Sequence, residues 1–379
     1  MTNSALTVKF IWLVVLLGVP SFAARPYVVT NDDSPSANSA TAYTLNTTTG
    51  APTLTRVLHT GGKGLGGGFV GSTGIAVASN AHCVFVADTD SNDIAAFASP
   101  GYNLVGRFSN SAVSFSSYGT GGSLSLAPNG KSLYGAYSGS FNIGAWAVGS
   151  NCSLTFLAAY VPSVGADLFA YLAVAPSGKY LVVSATDYEA AELFAIAKNG
   201  ELTDQGFISF AANSTCAADG CYPTGIDITK DSKVVVFGNA TTSEASALSV
   251  NVGSGGFSNP QVWNLTNASG ATGTTVPFFS AAGYAGSGAL YFGMSSGAVV
   301  TAKFTESPLS ITVTNSTVIT QGSPINTIAV TGNAMVVAEP VNQIGTFRIN
   351  SNGSLTLLHT TTDSNASGGF SLAIYPNTR

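Results

Sequence analysis

The acidic residues of this chain are grouped, and they are the side chains best suited to chemistry. Nine of the 18 acidic residues lie in short polar segments between apolar runs. These residues are Asp32, Asp33, Asp88, Asp90, Asp93, Asp187, Glu189, Glu244 and Glu339. Carboxylates can accept a proton from water as general bases, and with loop carbonyl oxygens they can bind a hard cation such as Ca²⁺. Asp also suits turns for a structural reason, because its side chain hydrogen-bonds nearby backbone.

Other residue types offer less chemistry. The three histidines, His59, His82 and His359, fall at positions that do not bring two of them together as a general base or metal site. The glycine-rich segment Gly61–Gly68 has no Ser or Thr after its Lys63, so it is predicted to be a connecting loop and not a phosphate-binding loop. The sequence Asp88–Asp93 lacks the glycine and the final glutamate of a helix-loop-helix calcium site. The carboxylates therefore carry the functional prediction.

The elements that position these carboxylates are short strands. The stretch Tyr171–Thr203 contains four apolar or alternating runs, and Pro176–Lys179 and Lys198–Glu201 separate the first from the second and the third from the fourth. Runs of four to eight residues bounded by Gly, Pro, Asn and Ser are typical of antiparallel strands joined by tight turns. One such unit cannot cover both of its faces, so it needs neighbours of its own kind.

The turn after the first strand of this unit recurs seven times. It falls, at intervals of 44 to 54 residues, at Ser79, Pro128, Pro176, Lys230, Gly283, Gly332 and Pro376. A period near 50 residues with four strands per copy is typical of β-propeller blades. We therefore predict an all-β, seven-bladed β-propeller with four antiparallel strands per blade. The copy around Gly283 matches the pattern least well.

The two ends of the chain complete the ring. Pro376 lies almost at the end of the sequence, so the last copy has a first strand alone. Arg25–Thr30 resembles a second strand, and Thr41–Leu45 and Leu54–Leu58 resemble a third and a fourth. We predict that Gly369–Tyr375 pairs with the N-terminal strand and closes the ring, which removes free sheet edges.

Loop lengths distinguish the two ends of this propeller. Turns between first and second strands, and between third and fourth strands, share one end and are short; we call it the short-loop face. Turns between second and third strands share the other end with the connections between blades, which are long, as in Ser109–Gly122 and Phe210–Thr224. This long-loop face carries all nine grouped acidic residues. A site is expected there, because functional residues concentrate on loops over a rigid scaffold.

Composition and the N-terminus indicate an exported protein. Lys9, an apolar run over Phe10–Val19 and the small residues before Arg25 predict a cleaved signal peptide over residues 1–24, followed by one propeller domain over 25–379. No later segment is long and apolar enough to span a membrane, so we expect a secreted or periplasmic protein. The net charge of −5 argues against binding to nucleic acid.

Four cysteines in an exported chain predict two disulfides, with three pairings to choose from. The four-residue spacing favours Cys216 with Cys221, which leaves Cys83 with Cys152 across two neighbouring repeats.

The blade sequences resemble a known family. APSGKYLVVSATD, APNGKSLYGAYS and CVFVADTDSNDIAAF are similar to repeats of the seven-bladed lactonase-like propellers, which include propeller 6-phosphogluconolactonases, carboxymuconate cyclases and exported YVTN-repeat proteins. The resemblance covers residues 25–379. The family has a histidine before a first strand and Asp-Leu-Gly after the second. Here Tyr171 stands near the histidine's place and Asp187-Tyr188-Glu189 replaces Asp-Leu-Gly, so only Asp187 matches. Arginine is almost absent from the long-loop face, where an anionic substrate would need it.

This resemblance and the acidic long-loop face together predict a hydrolase that opens a cyclic ester, with the catalytic residue Asp187 or Glu189 activating water or holding a cation. The predicted ligand-binding residues are Asp32, Asp88, Asp90, Tyr171 and Glu339. The sequence assigns no definite cofactor, and Ca²⁺ is the divalent cation that these carboxylates could bind. The alternative is a non-catalytic propeller that binds a small molecule or a protein partner through the long-loop face. In either case we expect a monomer.

Overall fold

The chain forms seven antiparallel β-sheets, as the sequence predicts. The computed structural model describes residues 26–375 except 67–73, 79–81, 116–121, 166–168, 212, 214–215, 217–219, 240–243, 252–255, 266–287, 321–323, 340–341 and 368–370. Every regular element within these ranges is a strand. The predicted signal peptide and the predicted first strand around Gly283 lie outside the described residues.

We number the sheets as blades 1 to 7 in chain order. Blade 1 contains β1 (Tyr27–Asn31), β2 (Ser39–Leu45), β3 (Pro52–His59) and β28 (Ser371–Tyr375). Blade 2 contains β4 (Ile75–Val77), β5 (Cys83–Asp88), β6 (Asp93–Ala98) and β7 (Asn103–Phe108). Blade 3 contains β8 (Ser123–Leu126), β9 (Ser132–Tyr137), β10 (Asn142–Val148) and β11 (Leu154–Tyr160). Blade 4 contains β12 (Phe169–Val174), β13 (Tyr180–Ala185), β14 (Ala190–Ile196) and β15 (Leu202–Ser209).

The remaining blades follow the same order with small variations. Blade 5 contains β16 (Pro223–Ile228), β17 (Val234–Asn239) and β18 (Glu244–Asn251). Its outer strand consists of two pieces, β19 (Gly256–Phe257) and β20 (Gln261–Asn264), and each piece pairs with β18. The described strands of blade 6 are β21 (Ala289–Gly293), β22 (Ala298–Glu306) and β23 (Leu309–Val318). Blade 7 contains β24 (Thr327–Thr331), β25 (Ala334–Glu339), β26 (Gln343–Ile349) and β27 (Leu355–Thr362).

Burial explains why the second strands are continuous apolar runs. Every residue of β13, Tyr-Leu-Val-Val-Ser-Ala, is buried, because a neighbouring blade covers each face of the sheet. The fourth strands lie at the outer edge, and β3 exposes most of its residues.

The tight turns between first and second strands need a left-handed residue, which Gly130 and Gly178 supply with φ of 68° each.

The ring is closed by its first and last described strands. β1 lies between β28 and β2, with Tyr27 opposite Tyr375 and Asn31 opposite Ser371. Seven separate clusters of buried apolar side chains occupy the seven interfaces between neighbouring blades. An open row of seven sheets would have six interfaces, so the predicted closure is confirmed.

The two predicted disulfides are also present. Cys83 pairs with Cys152 and joins blades 2 and 3, and Cys216 pairs with Cys221 within one connection on the long-loop face. Disulfides of this kind persist in oxidising compartments, which agrees with an extracellular or periplasmic location. Within the described part of the chain, no helix could cross a membrane.

Candidate functional site

The first strands of the blades surround a central channel. A cavity of about 400 Å³ lies along it, lined by residues of β4, β8, β12, β16, β24 and β28. Most of the lining side chains are aliphatic, such as Ile75, Leu124 and Ile328. Cavities of this size that combine apolar walls with a few polar groups are typical binding sites for small molecules.

One position of the repeat belongs to the lining of this cavity in every blade that the structure describes there. It lies three residues before the repeated turn, and its residues are Ala76, Ser125, Ala173, Asp227, Ala329 and Ala373. Five of these six residues are Ala or Ser, and blade 5 alone has a carboxylate. Departures from a local pattern concentrate at functional sites, so Asp227 is the first residue to consider.

Asp227 is embedded in the channel wall. Only 1% of its surface is exposed, and its Oδ1 accepts a hydrogen bond from the backbone N–H of Ile228 at 2.8 Å. Among the described residues that line the cavity, it is the only one with a carboxylate. Aliphatic surroundings strengthen the interaction of such a group with any proton or polar ligand that enters.

Tyr171 lies in the same wall, as part of β12 in the adjacent blade 4. Burial raises the pKa of its phenol above the ordinary value, so the hydroxyl keeps its proton at neutral pH. Its backbone N–H donates to Ser184 Oγ at 3.1 Å, and that hydroxyl donates to the Tyr171 carbonyl at 3.3 Å. The predicted ligand-binding residue Tyr171 is thus a rigidly held wall residue of the channel.

The predicted catalytic residues lie in the β13–β14 turn on the long-loop face. The side chain of Asp187 is exposed to solvent. Glu189 is half-buried, and its Oε2 accepts a hydrogen bond from the Cys221 N–H at 2.8 Å. Glu189 also adopts a left-handed φ of 49°, and its carbonyl accepts from Phe210 N–H at 2.7 Å. Glu189 therefore holds the disulfide-bonded connection, while Asp187 stays a predicted catalytic residue.

Asp32, a predicted ligand-binding residue, lies inside the junction of the chain ends. It is fully buried, and its carboxylate contacts the hydroxyls of Thr30 at 2.6 Å, Ser39 at 2.6 Å and Thr41 at 2.8 Å. The Thr30 hydroxyl also reaches Asp363 Oδ2 at 3.1 Å. Burial, with a smaller effect of Asp363, raises the pKa of Asp32 to about 7. Asp32 thus ties the β1–β2 turn to the connection that leads into β28.

Asp88 and Asp90 lie where blade 1 meets blade 2. Asp88 is fully buried beneath Gly62, accepts a hydrogen bond from Asn38 Nδ2 at 2.8 Å, and has a pKa raised by burial to about 7. Asp90 is exposed, and its N–H donates to the Lys63 carbonyl at 3.1 Å. The glycine-rich segment is therefore a connection packed on the acidic turns, as predicted for its described part. As ligand-binding residues, both aspartates stay predictions.

Glu339 ends β25 at the long-loop end of blade 7 and is fully buried. Burial raises its pKa to about 7, against the opposing effect of the Thr320 hydroxyl and amide. Within the described ranges, three metal-binding side chains converge only at His82, Cys83 and Cys152, where the two sulfurs are already bonded to each other. The structure therefore does not bring three of the described carboxylates together as a Ca²⁺ site.

No family model matches the sequence, and no curated protein matches it. Solved structures do share its fold. A protein from Lactobacillus plantarum has a TM-score of 0.70 at 13% identity, over 92% of this chain and 98% of that one. The periplasmic gluconolactonase PpgL of Pseudomonas aeruginosa has a TM-score of 0.69 at 14% identity, over 92% and 99%. A candidate 6-phosphogluconolactonase from Bacteroides fragilis has a TM-score of 0.67 at 16% identity, over 93% and 99%.

These TM-scores and coverages establish a common fold, while the identities are too low to show more than the fold. The predicted resemblance to lactonase-like propellers is confirmed at that level.

Proposed function

We propose that this protein is an exported lactonase-like hydrolase that opens a neutral cyclic ester in its central channel. The observation that carries the proposal is Asp227, a single carboxylate in a cavity wall whose equivalent positions hold Ala or Ser. The shared fold with a periplasmic gluconolactonase and the two disulfides support the reaction class and the compartment.

The reaction needs a base and a proton donor, and the channel offers both. In this proposal Asp227 accepts a proton from a water molecule as its oxygen attacks the ester carbonyl. The protonated phenol of Tyr171 donates a hydrogen bond to the oxygen that becomes negative. When the ring carbon–oxygen bond breaks, the proton on Asp227 passes to the leaving alkoxide. One lactone and one water thereby give one hydroxy acid, which ionises to its carboxylate.

In this proposal the substrate enters the channel from the long-loop face, and the charges on that face favour a neutral substrate. The described basic residues at that face are Lys63 and Arg107, and Arg107 is paired through two nitrogens with Asp93. Fully desolvated carboxylates such as Asp32 and Asp88 add negative potential when they ionise. A phosphorylated or carboxylated lactone would approach like charge without an arginine to bind it.

We therefore expect kcat/KM for an unphosphorylated sugar lactone to exceed that for its 6-phosphate by at least about 10-fold, because like-charge approach costs several kcal/mol. The measurement is initial-rate hydrolysis of both lactones by the purified, disulfide-bonded protein, corrected for spontaneous opening. A preference for the phosphorylated lactone would contradict the neutral-substrate assignment.

A second candidate function is binding without catalysis. The aliphatic character of most of the channel wall favours it, since an apolar cavity can bind a small molecule without reacting with it. Isothermal titration calorimetry on the same lactones separates the two functions. Saturable binding without turnover would favour the binding protein, and turnover that depends on Asp227 would favour the hydrolase.

A further inference from the structure

A second cavity lies at the short-loop face, between blades 6 and 7. Its volume is about 250 Å³. Blade 6 lines it with residues of β21, β22 and β23, among them Thr301, Lys303 and Thr314, and blade 7 lines it with residues 351–353 of the β26–β27 turn. None of its described lining residues belongs to the lining of the central channel, so it is a separate site.

The hydroxyl of Thr301 is the unusual feature of this cavity. Thr301 is 1% exposed, and its Oγ1 is buried without a hydrogen-bond partner among the described residues. Thr301 is the last residue of its third strand before the register with the fourth strand shifts. Blades 1 to 3 have alanine at this position, Ala42, Ala96 and Ala145. A buried hydroxyl without a partner is destabilising, because it loses its hydrogen bonds to water and gains none.

Blade 7 shows how the same fold satisfies a threonine at this position. The hydroxyl of Thr346 donates to the carbonyl of Gly50, in the β2–β3 turn of blade 1, at 2.7 Å. Leu358 packs on the same glycine, since a Cβ added to Gly50 would lie 2.4 Å from Leu358 Cβ. The interface between blades 7 and 1 is therefore closed here by direct contacts.

The contact from blade 6 to blade 7 is made by a tyrosine instead. The Tyr291 hydroxyl donates to the carbonyl of Gly353, in the β26–β27 turn, at 3.0 Å. Blade 3 makes the same contact to blade 4, from Tyr134 to the Gly200 carbonyl at 3.0 Å, and has an alanine where blade 6 has Thr301. The Thr301 hydroxyl is thus not used to join the two blades.

The space beside Thr301 is open because the residues around it are small. In the bulge of the fourth strand, blade 6 has Thr314 where blade 7 has Leu358. Of the described atoms outside its own chain neighbours, only Ala289 Cβ would lie within 4 Å of a Cβ added to Gly353, at 3.2 Å. The Thr314 hydroxyl donates to the Thr301 carbonyl at 3.1 Å, so it does not pair with the Thr301 hydroxyl.

The side chains around the cavity offer hydrogen-bond donors. Lys303 lies two residues from Thr301, on the same face of β22, and has no ion pair among the described residues. Asn352 Oδ1 accepts from the Ser354 N–H at 3.0 Å and hydroxyl at 2.7 Å, which leaves the Asn352 Nδ2 hydrogens for another acceptor. None of the described lining residues is acidic. A cation with neutral donors and no carboxylate is complementary to an oxyanion.

We propose that this cavity binds a small molecule that carries one oxyanion group, a carboxylate or a phosphate. The oxyanion accepts hydrogen bonds from the Lys303 ammonium, the Thr301 hydroxyl and the Asn352 amide, and the rest of the cavity holds the uncharged part of the ligand. The ligand supplies the acceptor that Thr301 lacks, and it joins blade 6 to blade 7.

Isothermal titration calorimetry and thermal melting at constant ionic strength test this site. Sodium phosphate and sodium lactate are the two probes, and sodium chloride is the reference. We expect at least one probe to bind once per chain and, at 20 mM, to raise the melting temperature by about 1 °C or more. Lys303→Met removes the charge and should lower the affinity at least about 10-fold, the usual effect of losing a hydrogen bond to a charged group.

Thr301→Val keeps the shape and removes the hydroxyl. Without a probe this variant should melt at a higher temperature than the wild type, because no buried hydroxyl is left unpaired, and its melting temperature should rise less when the probe is added. Thr346→Val is the matched control, because it removes a hydroxyl that already has its acceptor. This control should melt at a lower temperature than the wild type and keep the wild-type affinity for the probe.

The proposal is overturned if neither probe binds at 20 mM, or if Lys303→Met and Thr301→Val both bind it as tightly as the wild type. Lactone turnover does not enter this test, so the oxyanion site and the proposed hydrolysis stand or fall separately.

Discussion

Replacing Asp227 with asparagine is expected to lower kcat/KM for the neutral lactone by about 10²–10⁴-fold, the contribution of a general base. Asparagine has nearly the same shape and keeps an oxygen that can accept from the Ile228 N–H, so the channel wall should stay intact. It cannot take a proton from water. The loss should therefore appear mainly in kcat, with KM changed much less.

The matched control for this experiment is Asp187→Asn. Asp187 is an exposed turn residue on the long-loop face and does not belong to the described lining of the cavity. If Asp227 is the base, Asp187→Asn should have a kcat/KM within about threefold of the wild type, because substitutions of exposed residues usually have small effects. The opposite outcome, with activity lost in Asp187→Asn and kept in Asp227→Asn, would return the catalytic role to the residue indicated by the family resemblance.

The second large effect concerns stability against pH. Burial raises the pKa values of Asp32, Asp88 and Glu192 to about 7 from ordinary values of 3.8, 3.8 and 4.5. Between about pH 4 and pH 7 the folded chain keeps these protons and the unfolded chain has released them. Stability therefore falls as the pH rises through this window and levels off above it. We expect the melting temperature at pH 5 to exceed that at pH 8 by at least about 5 °C.

Differential scanning calorimetry at fixed ionic strength from pH 5 to pH 8 measures this dependence. Asp32→Asn removes one of the titrating groups, which faces Asp363 across the Thr30 hydroxyl. This variant should show a shallower pH dependence than the wild type and should lose little stability at pH 8. A melting temperature that rises between pH 5 and pH 8 in the wild type would show that the three carboxyl groups are ionised in the folded protein.

The architecture was predictable because its units repeat. The seven turns that end the first strands fixed the number of blades, and the lone first strand near Pro376 indicated closure by the N-terminal strand. The observed pairing of β1 with β28 confirms that inference. Each sheet is covered by its neighbours, so the residues of the turns and the burial of the strands both favour the same arrangement of blades.

The candidate site was less predictable, for two physical reasons. Acidic residues in turns suggest a solvated surface, yet residues 60–66 cover Asp88, and the paired chain ends enclose Asp32. This burial results from packing between segments that are distant in the sequence, and no local sequence pattern predicts it. Asp227 was overlooked because it lies within a strand. The sequence does contain its signal, since aligning the seven first strands leaves one carboxylate among small residues.

A crystal structure of the Asp227→Asn variant with the neutral lactone tests the central claim most directly, because the inactive channel should retain its substrate. The account predicts the lactone inside the channel, with its ester carbonyl carbon within about 4 Å of the side chain at position 227, as one bridging water requires. A lactone bound only at the outer turns of the long-loop face, with the channel empty, would contradict it.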